Sequence, residues 1–265
     1  MMLCNEMQES ELEKQDLSGY TAQIKLDGRR VQIKKQGTEV TMIPRSEGIQ
    51  PWKYPELVEG LKKIPGNFLI DGELVVFGPD GNTDFDMMIS RDKTKDRFKI
   101  RLLSKKYPAT FVAFDILELE GQDLRKLTWE ERNAKLLELT PNDNFEAVTS
   151  SDDIMQMLQQ AHENNWEGIV LKLKTGTYEE ARSPFWIKVK RKEYPILNMV
   201  AYEIHNKGLT LISDQGIRVA CLGAQSGPVK IKIDKEGHTM CKISTLGGKL
   251  KSGKWRQPTF VSMEG

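Results

Sequence analysis

The run Phe68-Leu-Ile-Asp-Gly-Glu-Leu-Val-Val-Phe77 is apolar enough to demand burial, yet Asp71 and Glu73 interrupt it. Such a segment predicts a buried strand. Carboxylates inside an apolar run are strongly unfavourable unless they face a ligand, an arginine or a metal ion. The fold must therefore set this strand in its core beside a group of that kind.

A second constraint lies upstream, in Lys25-Leu-Asp-Gly-Arg-Arg30. Tyr20, Ala22, Ile24 and Leu26 alternate, as do Val31 and Ile33, so two strands are expected to meet at Asp27-Gly28, a hairpin-type turn signal. Lys25 then sits at a strand end beside a backbone that a ligand can approach closely. An amine with a reference pKa of about 10.4 attacks a phosphorus only when nearby cations or desolvation lower that value. Taken alone, the hexamer also reads as an ordinary lysine before a turn.

With 265 residues, 38% of them hydrophobic, the chain has material for one large domain or a large and a small one. No run approaches the ~18 apolar residues of a membrane span. The acidic start, Met1 to Glu13, has no basic stretch followed by an apolar one, so no signal peptide is expected and the location is read as cytoplasmic, or host cytoplasm for a viral source. Cys4, Cys221 and Cys241 lie far apart, with three histidines in the whole chain, which favours neither a disulfide framework nor a zinc site. Net charge is +1, but residues 192–265 carry +5 and the rest −4. A basic C-terminal part suits a polyanion partner or a solvated surface.

Along the chain, residues 1–18 read as a short polar helix or loose arm. Val40 to Arg45 is a short strand leading into Pro44-Arg45-Ser46-Glu47-Gly48, and Tyr54 to Lys63 has helical spacing. The run from Arg91 to Lys106 is dense in cations, either a solvated amphipathic helix or a surface that tracks a nucleic-acid backbone. Thr110 to Leu117 is a further central strand containing Phe114. Trp129 to Leu139 and Asp152 to Asn164 read as helices capped by Thr128 and Ser151. The strand Glu167 to Lys172 and the strand Phe185 to Arg191 follow. Lys188 and Lys190, two apart on a strand, point to one face, and with Trp186 beside them they want an anion. Beyond a linker at residues 192–195, five short strands (199–205, 209–213, 216–223, 229–234 and 239–244) suggest a small OB-type β-barrel, a common oligonucleotide-binding scaffold.

In order, KLDGRR at 25–30, PRSEG at 44–48, DGELVVF at 71–77, FVAFDIL at 111–117, EGIVLK at 167–172 and WIKVKR at 186–191 resemble the motif series of the covalent nucleotidyltransferases, most closely the compact ATP-dependent DNA ligases. The resemblance implies an α+β fold: an ATP-grasp-like adenylation domain over 1–191 and an OB-fold domain over 192–265. It implies Lys25 as nucleophile, and Lys188 and Lys190 as α-phosphate ligands that lower the pKa of Lys25. Arg30 and Arg45 would bind ribose or phosphate, Glu73 the ribose hydroxyls and Phe114 one face of adenine, with Ile24 and Arg182 completing the nucleotide site. Glu167 would help hold Mg²⁺ or Mn²⁺. Arg256 stands nearest the Arg-x-Asp-Lys motif that orients pyrophosphate in many relatives, although here the Asp-Lys pair is missing.

ATP is then the cofactor and nicked duplex DNA the partner of a monomer that does not engage a membrane. No helical DNA-clamping domain, zinc finger or BRCT-like tail is recognisable, so the grip on DNA is expected from the two domains and the 91–106 run. An RNA ligase and an mRNA guanylyltransferase share the lysine chemistry and remain alternatives. An OB-type nucleic-acid-binding protein with an inert first domain is the non-enzymatic one.

Overall fold

The computed structural model describes residues 1–45, 49–247 and 255–264. The chain divides into two compact units, Met1–Val189 and Lys190–Gly265.

The first unit begins with β1 (Leu3–Met7), β2 (Tyr20–Ile24), β3 (Arg29–Gln36), β4 (Glu39–Pro44), α1 (Pro55–Lys62) and β5 (Phe68–Val76). It continues with α2 (Phe85–Lys93), α3 (Arg97–Lys106), β6 (Ala109–Leu119), β7 (Gln122–Asp123) and α4 (Trp129–Leu137). Last come β8 (Phe145–Ala147), β9 (Ser150–Ser151), α5 (Ile154–Glu163), β10 (Gly168–Leu173) and β11 (Arg182–Lys190). Among the described residues these strands form two sheets, one ordered β1-β11-β10-β2-β9 and the other β4-β3-β5-β6-β7 with β8 beside β6.

Strand alternation gives each sheet an apolar outer face. On the second sheet Val31, Ile33, Ile70, Leu74, Val76, Phe111 and Ala113 pack with Leu57 and Leu61 of α1 and Leu136 of α4. On the first, Ala22, Ile169, Leu171, Ile187 and Val189 pack under α5. The residues between them in sequence, Asp71, Glu73, Arg30 and Gln32 on one sheet and Gln23, Lys172, Trp186 and Lys188 on the other, take the inner faces. Placing the charges of the DGELVVF run on an inner face explains how an apolar strand tolerates them.

The chain crosses between the sheets at residues 25–28, which corrects the expected hairpin. β2 pairs with β10 and β9, whereas β3 pairs with β4 and β5. Residues 1–18 are likewise no loose arm. Leu3–Met7 adds a strand parallel to β11, and Glu9–Lys14 is a short 3-10 helix whose Leu12 is buried. The cationic run is split by Thr94–Asp96, where the Asp96 side chain caps α3, and Arg91 is buried against Glu56 at 2.7 Å rather than displayed. Thr128 caps α4 in a reciprocal box with Glu131, but α5 is capped by Asp153 and not Ser151.

The second unit holds β12 (Lys192–Glu193), β13 (Ile196–His205), β14 (Gly208–Ser213), β15 (Arg218–Leu222), α6 (Ser226–Glu236), β16 (Thr239–Leu246) and β17 (Thr259–Met263). Strands β13 to β17 close on themselves through the β15–β17 and β16–β17 pairings, giving a five-stranded barrel of OB type. One expected strand is wrong. Val229, Ile231 and Ile233 alternate like a strand, but they lie in α6, where Val229 and Ile233, four apart, face the core and Ile231 is 55% exposed. The fifth strand is Thr259–Met263. Among the described residues no helix is long and apolar enough to cross a membrane.

One buried ion pair fastens α4 to β6. Both side chains of Arg132 and Asp115 are 0% exposed, joined at 2.7 and 2.9 Å, and Arg132 also donates to the Leu127 and Gly176 carbonyls. Replacing Arg132 with Met strands a carboxylate in the core. We expect Arg132→Met to lower the unfolding free energy by about 3–5 kcal/mol, read from urea denaturation followed by circular dichroism. A loss within about 0.5 kcal/mol, the range of ordinary surface substitutions, would contradict this role.

Candidate active site

The crossover itself places the amine. Ile24 of β2 pairs with Ile169 of β10, and the next residue, Lys25, continues the ladder by donating its backbone N–H to the Gly168 carbonyl at 2.9 Å. Glu167 is the residue just before β10, and the Lys25 Nζ and Glu167 Oε2 atoms meet at 2.7 Å. Gly28 ends the crossover. A Cβ there would lie 2.3 Å from the Leu74 carbonyl oxygen and 2.8 Å from Val75 Cγ1, so glycine is required by close approach to β5.

Lys25 is 21% exposed and Glu167 8%. Burial acts to lower the amine's pKa and is the largest influence, but Glu167, then Glu73 and Asp27, together outweigh it and leave the pKa raised. These carboxylates favour Lys25 as an ammonium. Glu73 behaves oppositely. Burial, reinforced by Glu167, pushes its carboxyl up to about 8 against the opposing pull of Lys25. Near neutral pH Glu73 carries a proton and is a hydroxyl donor as well as an acceptor.

Arg30 is anchored on Asp71, which is fully buried, by paired bonds of 3.1 and 2.7 Å. Asp71 also accepts the Tyr178 hydroxyl at 2.5 Å, and Arg30 donates to the Met2 carbonyl at 2.5 Å. The guanidinium lies 5.4 Å from the ring centres of both Phe114 and Trp186. Asp71 therefore faces an arginine, and Glu73, two residues on, faces the lysine.

No group of three or more His, Cys, Asp or Glu side chains gathers as a metal cage among the described residues. That is compatible with Mg²⁺, which takes one or two carboxylates and completes its shell from substrate phosphates and water. Glu167, in contact with Lys25, is a carboxylate that could take such a place.

Residues 1–190 match the family model described as the ATP dependent DNA ligase domain. The chain belongs to that family. It is 33% identical over 199 residues to DNA ligase 1 of Methanosarcina mazei, a match covering 69% of this chain and 34% of that protein. A probable DNA ligase of Persephonella marina is 29% identical over 242 residues, covering 84% of this chain and 40% of its own length. The chain thus spans well under half the length of these relatives. A solved structure from a study of DNA binding with a minimal scaffold in Lig E DNA ligases aligns over 100% of this chain and 98% of its own, with TM-score 0.70 and 20% identity, and shows the shared fold.

Of the residues expected from the ligase motifs, Lys25, Glu73, Glu167, Arg30 and Phe114 gather between the two sheets. Ile24 joins Leu26 and Phe114 against Val75, Val112 and Val148. Lys188 lies on the inner face of β11, with its amine 3.1 Å from Glu6 Oε2, and Lys190 ends that strand on the same face. Arg45 is exposed just after β4, its backbone N–H donating to the Arg30 carbonyl at 3.3 Å, while Ser46, Glu47 and Gly48 lie outside the described residues. Arg182 sits at the opposite end of β11 from Lys188 and donates to the Cys4 carbonyl, docking β1. Arg256 belongs to the barrel unit, where its carbonyl accepts from Leu246 N–H at 3.0 Å. The neighbouring Lys254 is outside the described residues.

Two further inner-face residues escaped the motif reading. Lys172, the last residue of EGIVLK, is buried with its amine 3.0 Å from the Trp186 ring centre and 4.8 Å from that of Phe114; burial draws its pKa down to about 7, against Asp115. Gln23, two residues before Lys25, is buried with both side-chain polar atoms unpaired. A polar residue inside the apolar run Ala22-Gln-Ile24 was the available signal for it. An unsatisfied buried amide is expensive, and its adjacent donor and acceptor match the edge of a purine base.

The Glu73 shift gives a pH signature. Because its native pKa, about 8, stands above the ordinary 4.5, the native state holds a proton that the unfolded chain has released between those values, so this group's contribution falls as pH rises through the window. We expect Glu73→Gln to gain on the wild type in denaturant midpoint on going from near pH 4.5 to near pH 8. A pH-independent difference between the two proteins would remove the shift.

Proposed function

We propose that this chain is an ATP-dependent DNA ligase that seals nicks in duplex DNA through a lysyl-AMP intermediate. The observation that carries the reading is the Lys25 amine, held by strand pairing 2.7 Å from the Glu167 carboxylate. A nucleophile with a proton acceptor in contact is the arrangement that covalent nucleotidyl transfer requires. Loss of the Lys25 proton to Glu167 frees the nitrogen lone pair to attack the α-phosphorus of ATP, forming the N–P bond as the P–O bond to pyrophosphate breaks. The adenylate then passes to the 5′-phosphate at a nick, and the 3′-hydroxyl displaces AMP.

The remaining inner-face residues position the nucleotide. Gln23 would meet the adenine edge and Phe114 its face, Glu73 the ribose hydroxyls, and Lys188 and Lys190 the α-phosphate, where charge develops. A Mg²⁺ or Mn²⁺ ion held by Glu167 with the phosphates would neutralise charge on the triphosphate and favour deprotonated Lys25. The barrel unit, with most of the +5 charge of residues 192–265, would grip the DNA backbone of a monomeric enzyme.

Incubation with ATP and Mg²⁺ followed by intact mass measurement should show the gain of one adenylate, and GTP in its place should not label the protein. Lys25→Ala should lose the adduct entirely, while sealing of a nick already carrying 5′-AMP partly survives, because that step does not use the lysine as nucleophile. Adduct formation by the variant at the wild-type rate would reassign the nucleophile.

Binding to nicked duplex should weaken with salt by a log–log slope of about −0.9 per phosphate contacted. A chain ending after Arg191 should show a shallower slope and weaker binding. Equal slopes would place the grip in the first unit.

A further inference from the structure

The phosphate-facing lysine of β11 already holds a carboxylate. β1 runs parallel to β11 with Glu6 directly beside Lys188 in register, after an irregularity between Cys4 and Asn5 that shifts the pairing. The Glu6 Oε2 and Lys188 Nζ atoms are 3.1 Å apart, with the lysine the more buried of the two. Both side chains therefore project from the same face of the sheet, the face that also carries Lys172 and Gln23 and that is turned away from the α5 core.

The rest of β1 fixes this contact firmly. Arg182 donates to the Cys4 carbonyl, the Leu3 N–H donates to the Ala181 carbonyl at 2.8 Å, and Arg30 and Tyr178 bond the Met2 backbone. Glu6 is thus delivered by a docked strand rather than by a loose tail.

We propose that Glu6 is a positioning and affinity-setting residue: it occupies Lys188 in place of the nucleotide's phosphate, and the incoming triphosphate must exchange with it. This rests on the reading of Lys188 as a phosphate ligand given above. A carboxylate in contact with an ammonium offsets the charge that would otherwise attract an anion, while keeping the long side chain extended towards the site. Nucleotide binding is then weaker than Lys188 alone would make it, and release of a bound phosphate is assisted by a carboxylate ready to re-engage.

A partly exposed ion pair is worth on the order of 0.2–1 kcal/mol, so removing the carboxylate should tighten triphosphate binding by about 1.5- to 5-fold. The isosteric Glu6→Gln keeps the strand and removes the charge. We expect it to lower KM for ATP in the adenylation step by that factor, with kcat changed less than KM, and to tighten binding of inorganic tripolyphosphate, measured by calorimetry, by a similar factor. In the Lys188→Met background the same substitution should have a clearly smaller effect on both quantities, which makes the pair non-additive in a double-mutant cycle. Glu6→Asp should restore wild-type values in part.

Additive effects of Glu6→Gln and Lys188→Met, or an unchanged or raised KM with unchanged tripolyphosphate affinity, would overturn the proposal. If the wild type takes up no adenylate, the ligase reading fails, and the tripolyphosphate cycle still decides whether Glu6 competes with phosphate at Lys188. Thermal melting of each variant identifies any that act through loss of the fold, and for such a variant Glu6→Asp decides.

Discussion

The contact between Lys25 and Glu167 joins residues 142 apart in the chain, and it exists because β2 and β10 pair in one register. Ile24 stands opposite Ile169, which sets Lys25 against Gly168 at the rim of the sheet, with Glu167 the next residue along. A slip of one residue by either strand would turn its own core residue, Ala22 of β2 or Leu171 of β10, out of the α5 core and move Lys25 off the Gly168 carbonyl. The same apolar packing that stabilises the first sheet therefore also brings the Lys25 amine to the Glu167 carboxylate.

Two sheets with apolar outer faces and charged inner faces invert the usual sandwich, whose core lies between the sheets. Such an arrangement persists only if every inner-face charge is answered. Asp71 is answered by Arg30 and Tyr178, Glu167 by Lys25, Lys188 by Glu6, Glu73 by its raised pKa, and Lys172 by the faces of Trp186 and Phe114 together with its own lowered pKa. The aromatic clusters around Trp186 and around Phe114 fill the space between these pairs.

Much of this was legible in the chain. The carboxylates of the DGELVVF strand announced a polar site because burying them unpaired is prohibitive, and the motif order identified the residues around it. What misled the reading was local pattern without its partner strand. Asp27-Gly28 has hairpin chemistry, but the glycine answers to the Leu74 carbonyl across a sheet crossover. Val229, Ile231 and Ile233 alternate as in a strand, yet a helix that buries only the first and third satisfies the same residues.

The sequence by itself determined the residue types that can carry phosphoryl transfer, the strands rich in them and the division of charge between the two parts of the chain. Only the tertiary structure decided which carboxylate meets which amine. Glu167 holds Lys25 as an ammonium, Glu6 reaches Lys188 from the N-terminal strand, and Gln23 is left buried with its amide unpaired. These outcomes depend on register and burial, which are properties of strands brought together from distant parts of the chain, and an amine's proton affinity follows from the neighbours that such pairing supplies.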